Sequence, residues 1–256
     1  MFNLQGRTAI VTGGGSGIGR AIALRLGDEG CRLGIFDLDE AAAAETVRIA
    51  EGRGHEAVAA FGDVSRRADV DAAVAVLTEA LGPADILVNS AGILRIGALL
   101  EQSYEDFGAQ FRVNVDGVFH ACQAVVPSMV ERRRGSVLNI ASWLGKRGMR
   151  LYGGYAATKF AVIGMTQTLA LEVASAGVRV NALCPGLIVD TGMRVRAEAV
   201  HRQLGLPSAE ERAAQIPLGR LGKPDDVARA AAFLVSDEAE YMTGQAINVT
   251  GGFWLS

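Results

Sequence analysis

The chain has 256 residues, half of them hydrophobic, which is long for one average domain, short for two, and enough to bury a large core. Its 28 acidic and 25 basic side chains leave a formal net charge of −3. Neither sign dominates a long stretch, which argues against a nucleic-acid or anionic-membrane partner.

In chain order, short β-rich runs alternate with longer helical patterns, without a linker or low-complexity block. Strands are predicted at 8–11, 32–36, 57–61, 86–88, 136–140, 178–183 and 246–249, and helices at 17–28, 40–51, 69–81, 104–131, 154–174, 193–204 and 225–234. Several strands are continuous apolar runs, as strands buried on both faces of a parallel sheet must be. The alternation predicts a single-domain, doubly wound α/β fold of the Rossmann type over 1–256: seven parallel strands with helices on both faces. Pro224 followed by Asp225 and Asp226 marks a helix start, and the run Arg132, Arg133, Arg134 before Gly135 suits a helix C-terminus. The N-terminus lacks the charged and apolar regions of a signal sequence, and no run of about 18 residues is both apolar and uncharged, so a cytoplasmic protein that does not enter membranes is expected. Cys31, Cys122 and Cys184 have no paired spacing and sit in apolar contexts, as buried thiols do. His55, His120 and His201 have no ligand spacing, so no metal site is expected.

The first strand runs into T-G-G-G-S-G-I-G, where Gly13, Ser16, Gly17, Ile18 and Gly19 link it to a helix. Glycines there let the backbone approach a pyrophosphate, and the helix N-terminus offers free N–H groups to the phosphates. The next strand ends at Asp37, roughly 20 residues on, where a carboxylate accepts hydrogen bonds from the adenosine ribose and repels a 2′-phosphate. Ser16 and Leu38 supply no cation for that phosphate, so NAD is the expected cofactor. In the middle of the chain, Tyr155 and Lys159 form an i, i+4 pair on a predicted helix. An ammonium beside a phenol favours the phenolate, a base suited to taking an alcohol proton. Ser142, at a strand end, is placed to hold a substrate oxygen.

Taken together, these residues resemble the short-chain dehydrogenase/reductase family from Thr12 to Gly252. The family's N-N-A-G appears as N-S-A-G, with Asn89, Ala91 and Gly92 matching and Ser90 departing. The resemblance implies adenine contacts from Asp63 and Val64, and nicotinamide contacts from Pro185, Gly186, Ile188 and Thr191. It implies that Ser142 binds the alcohol oxygen, Tyr155 is the acid/base, and Lys159 lowers the tyrosine pKa and binds the nicotinamide ribose. Asn114, at a helix kink, would hold a water that relays the proton from Lys159. A substrate lid is implied at about 190–216, carrying Arg194, Arg196, His201 and Arg202, which either bind an acid or phosphate or form a solvated face. Pocket candidates are Ile93, Leu94, Trp143, Leu144, Met149, Tyr152, Gly186, Leu187 and Met193, with Trp143 either narrowing the pocket or packing in the core.

The segments Y-A-A-T-K-F-A-V-I-G-M-T-Q and A-L-C-P-G are similar to those of bacterial polyol, diol and acetoin dehydrogenases, sorbitol dehydrogenases among them. The leading expectation is an NAD-dependent secondary alcohol or polyol dehydrogenase acting on a small alcohol or ketone. The rivals are a 3-oxoacyl-thioester (acyl carrier protein) reductase and a catalytically silent NAD-binding regulator or scaffold. The apolar tail ending in Phe253 and Trp254 needs cover from its own chain or a neighbour, and the family likeness implies a homotetramer.

Overall fold

In the computed structural model, which describes residue 2 and residues 4–256, seven strands form one parallel sheet in the order β3-β2-β1-β4-β5-β6-β7. They are β1 (Thr8–Thr12), β2 (Arg32–Asp37), β3 (Ala57–Phe61), β4 (Ile86–Asn89), β5 (Gly135–Ile140), β6 (Val178–Pro185) and β7 (Ala246–Val249). The helices are α1 (Gly17–Asp28), α2 (Glu40–Gly52), α3 (Arg67–Leu81), α4 (Tyr104–Phe111), α5 (Gly117–Glu131), α6 (Gly153–Val173), α7 (Gly192–Gln203), α8 (Ala209–Ala213) and α9 (Pro224–Val235). This is the predicted doubly wound α/β architecture.

The strand residues sort onto two faces by their two-residue period. Ala9 and Val11 pack with Leu33, Ile35, Ile86 and Val88 against α1, α2 and α9. Ile10, Leu87, Val137 and Val180 pack the opposite face against α3, α5 and α6. With both faces covered, the central strands have no solvent side, which is why their sequences run apolar without alternation. Strand order reverses between β1 and β4, whose C-terminal ends splay their loops apart and open a crevice there.

One predicted helix is interrupted. The span 104–131 is not one α-helix: a π-helical turn at Arg112–Asp116 separates α4 from α5. The wider turn places Asn114 fully buried, pointing at the loop after β4. A short α8, opened by a capping box from Ser208 and Glu211, was not legible as a separate element.

Candidate active site

A cleft of about 900 Å³ runs along the C-terminal ends of the strands. Its cofactor end is built by the loop between β1 and α1. Gly13 adopts φ +67°, and a Cβ there would lie 2.7 Å from the Ala91 backbone. A Cβ on Gly19 would collide with the Gly13 carbonyl oxygen. Glycine alone therefore allows this loop to fold back against the β4 loop and leave a cradle at the α1 N-terminus. Ser16 caps α1 with extended backbone and no side-chain cap bond, so the first-turn N–H groups remain available to a phosphate. Beyond the cradle, Asp37 closes the adenosine end. Its Oδ2 accepts from Gly15 N at 2.8 Å and its Oδ1 from Asp39 N at 3.0 Å. The nearby Arg20 guanidinium is turned away, bonded to the Gly15 carbonyl and to Thr46 Oγ1. These features fit a dinucleotide: a backbone cradle that any Cβ would fill, followed by a carboxylate where ribose hydroxyls arrive.

The structure brings Gly13, Ser16, Gly17, Ile18, Gly19, Asp37, Leu38, Asp63, Val64, Ala91, Gly92, Pro185, Gly186, Ile188 and Thr191 to the wall of this one cleft. Asn89 does not reach it. That side chain is buried within the sheet, where its Nδ2 donates to Asn139 Oδ1 at 2.8 Å and ties β4 to β5. Asn114 also lies behind the wall. Its Oδ1 accepts from Ile93 N at 2.8 Å, and its Nδ2 donates to Ile93 O at 2.9 Å and Thr158 Oγ1 at 3.0 Å. The Asn114 side chain thus fixes the strand-end loop, close to Lys159. Thr191 caps α7 by accepting from Arg194 N at 3.1 Å, while its methyl group covers Gly17, so it links the lid segment to the phosphate loop.

At the far end stand Ser142, Tyr155 and Lys159. Ser142 Oγ accepts from Leu144 N at 3.1 Å and is thereby held at the mouth of a short 3-10 turn. Tyr155 and Lys159 lie on the first turns of α6, as their spacing predicts, and both are buried. Lys159 Nζ donates to Ile140 O at 2.8 Å and sits 5.6 Å from the centre of the Tyr155 ring.

Burial pushes the Tyr155 phenol up to about 12, and its hydrogen bond with Ser142 offsets only part of that. Burial also brings Lys159 down to about 8. In the cofactor-free protein burial is the largest influence on both groups, penalising the charged form of each.

A family model described as enoyl-(acyl carrier protein) reductase matches residues 13–254. The chain belongs to the short-chain dehydrogenase/reductase family. It is 39% identical over 251 residues to a 3-oxoacyl-[acyl-carrier-protein] reductase of Thermotoga maritima, covering 98% of this chain and 99% of that one. It is also 39% identical to a sorbitol dehydrogenase of Cereibacter sphaeroides over the whole of both chains. A (2S)-[(R)-hydroxy(phenyl)methyl]succinyl-CoA dehydrogenase subunit of Thauera aromatica is again 39% identical, covering 98% of each. The family is an oxidoreductase family using nicotinamide cofactors, and its members here span acyl thioesters and a sugar alcohol.

All nine pocket candidates line the cleft of this family member. Trp143 does so while packing edge-on against Phe253, with ring centres 5.0 Å apart, so it both narrows the pocket and joins a small core. Arg147 stacks over Trp254 at 4.5 Å, giving the tail a partner within its own chain. The segment expected to form a lid contains α7 and α8, and its flanks are tied by Gly222, which bonds Leu187 O and Val189 N, both at 2.9 Å. His201 is buried, with Nε2 2.5 Å from Tyr152 Oη. Arg212 and Gln215 also line the cleft and went unnoticed in the sequence, because nothing in their spacing points to it. Among the described residues, no helix is long and apolar enough to cross a membrane.

Proposed function

We propose that the protein is an NAD-dependent dehydrogenase that interconverts a secondary alcohol or polyol and its ketone, with Tyr155 as acid/base. The observation that carries this reading is the convergence of Ser142, Tyr155 and Lys159 at one end of a cleft whose other end fits a dinucleotide. NAD, when bound, supplies the hydride acceptor. Ser142 holds the alcohol oxygen; Tyr155 takes the hydroxyl proton as the C–H bond breaks and its electron pair leaves with hydrogen as hydride, forming the carbonyl. Lys159, whose Nζ lies 5.6 Å from the centre of the Tyr155 ring, favours the phenolate that accepts this proton.

The preference for NAD is supported by Asp37 and by Arg20, whose guanidinium is taken up by the protein's own oxygens. The reading is tested by NADH appearance on mixing the protein with NAD and a panel of secondary alcohols and polyols. No NADH with any of them, while a 3-oxoacyl thioester is reduced, would replace it with the thioester-reductase reading that one relative's name suggests. The intact set of reacting side chains weighs against a silent regulator. A homotetramer is proposed on the family likeness and on Phe119, Phe160 and Leu171, which are exposed on α5 and α6. Light scattering that gives a monomer mass at micromolar concentration would refute it.

A further inference from the structure

The substrate end of the cleft carries charge of one sign. Its acidic lining residues, Asp37, Asp39 and Asp63, all lie at the adenosine end. Arg194 and Arg212 line the opposite end, beneath the lid. Both guanidinium groups meet one carboxylate oxygen, Glu198 Oε1, each at 2.5 Å. Glu198 itself does not line the cleft; it braces the two arginines from behind, and its Oε2 accepts from Ala209 N. One carboxylate is shared by two guanidinium groups, and Glu210 acts on Arg194 only without contact.

The unpaired donor of this cluster lies on Arg194. Arg212 is satisfied, donating through Nε to Ser208 O at 3.1 Å and through Nη2 to Glu198. The Arg194 side chain is 12% exposed, yet its Nε has no hydrogen-bond partner, and its Nη2 touches Glu198 without the alignment of a hydrogen bond. Buried donors left unpaired are costly unless a ligand pairs them. His201 does not neutralise the region, nor does it add charge: burial holds its pKa below the usual value. The site is also close to the chemistry. Arg194 and Arg212 line the same cleft as Tyr152 and Tyr155.

We propose that Arg194, braced by Glu198 and Arg212, seats a carboxylate of the substrate, so that the alcohol oxidised is a hydroxy acid. This rests on the alcohol-dehydrogenase reading of the same site and narrows it. The carboxylate is a spectator, fixing which face and which end of the molecule meet Tyr155. A guanidinium suits it because its N–H groups make charge-assisted hydrogen bonds to a carboxylate, and Nε is the donor left without a partner.

Two readouts on the full-length protein test this. First, kcat/KM with NAD is compared for 3-hydroxybutyrate and its methyl ester. The acid is expected to exceed the ester by roughly 10- to 100-fold, the range of a charge-assisted hydrogen bond. Second, malonate, which cannot be reduced at a ketone, is titrated into the enzyme–NADH complex and followed by nucleotide fluorescence. Arg194→Gln is expected to weaken malonate roughly 10- to 100-fold, and Arg194→Lys to restore part of that loss. An ester preferred over the acid, or malonate binding unchanged in Arg194→Gln, would overturn the proposal. Inorganic phosphate binding more tightly than malonate would overturn the carboxylate assignment. Alcohol oxidation without malonate binding would sink the anion site and spare the dehydrogenase. Arg194-dependent malonate binding without any alcohol oxidation would do the reverse. The wild-type arms stand even if a variant fails to fold.

Discussion

Replacing Lys159 with methionine is expected to stabilise the cofactor-free protein at neutral pH and to lose that advantage in alkali. The Lys159 pKa lies at about 8 in the folded protein, against an ordinary 10.5, because its ammonium is buried. Between those values the unfolded chain binds the proton and the folded chain does not, so stability rises with pH across that window. Below pH 8 the folded state carries the full penalty, about 3 kcal/mol at ~1.4 kcal/mol per tenfold. Methionine removes this penalty but leaves Ile140 O, now bonded to Nζ at 2.8 Å, without a donor. That costs roughly 1–3 kcal/mol at every pH. The variant should therefore match or exceed the wild type by up to about 2 kcal/mol at pH 7, and fall below it near pH 10. The pH-dependent part, about 2–3 kcal/mol between pH 7 and pH 10, is free of the carbonyl's contribution. Urea unfolding of both proteins at pH 7, 8, 9 and 10, followed by circular dichroism, measures it. A stability difference constant across that range would refute the view that desolvation dominates at Lys159.

Other predictions follow from the same geometry. Asp37→Ser removes the carboxylate proposed to receive ribose hydroxyls and to repel a 2′-phosphate. With charge-assisted hydrogen bonds worth roughly 1.5–3 kcal/mol, the ratio of kcat/KM for NAD over NADP should drop by at least about 10-fold; an unmoved ratio would show that Asp37 does not read the ribose. Gly13→Ala places a methyl 2.7 Å from the Ala91 backbone at a positive φ, so nucleotide affinity should fall by more than about 10-fold, read by NADH fluorescence titration. Because burial holds Tyr155 up at about 12 in the free enzyme, alcohol oxidation, which needs the phenolate, should quicken as pH rises from 6 to 9. Ketone reduction, which needs the phenol, should not quicken over the same range, and an oxidation rate independent of pH would contradict the assignment.

Much of this fold and cleft was legible in the residues, and the exceptions share a cause. The apolar runs of β1, β4 and β6 and the turn-forming glycines report local requirements, so the strand order's crevice could be anticipated. Tyr155 and Lys159 share a helix face whatever surrounds them. A helix kink at Asn114 came only from the family resemblance; the residues themselves do not reveal the π-turn at Arg112–Asp116, because one wider turn shifts the phase of an apolar helix without breaking its pattern. Arg212 reaches Glu198 across 14 positions, and Tyr152 reaches His201 across 49, so neither contact has a spacing to read. Asn89 carries a motif's identity, yet its side chain crosslinks strands inside the sheet. The effect of burial on the phenol was not legible for the same reason: spacing reveals the neighbouring charge, whereas desolvation depends on everything packed around it.

The most direct test of the central claim is a single-turnover measurement of NADH formation, with wild type and Tyr155→Phe each saturated with NAD and mixed with an oxidisable secondary alcohol. The account predicts a wild-type burst and a variant slower by at least about 100-fold, with NAD affinity within a few-fold of wild type. A variant that forms NADH within a few-fold of the wild-type rate would remove Tyr155 from the chemistry, and with it the proposed reaction.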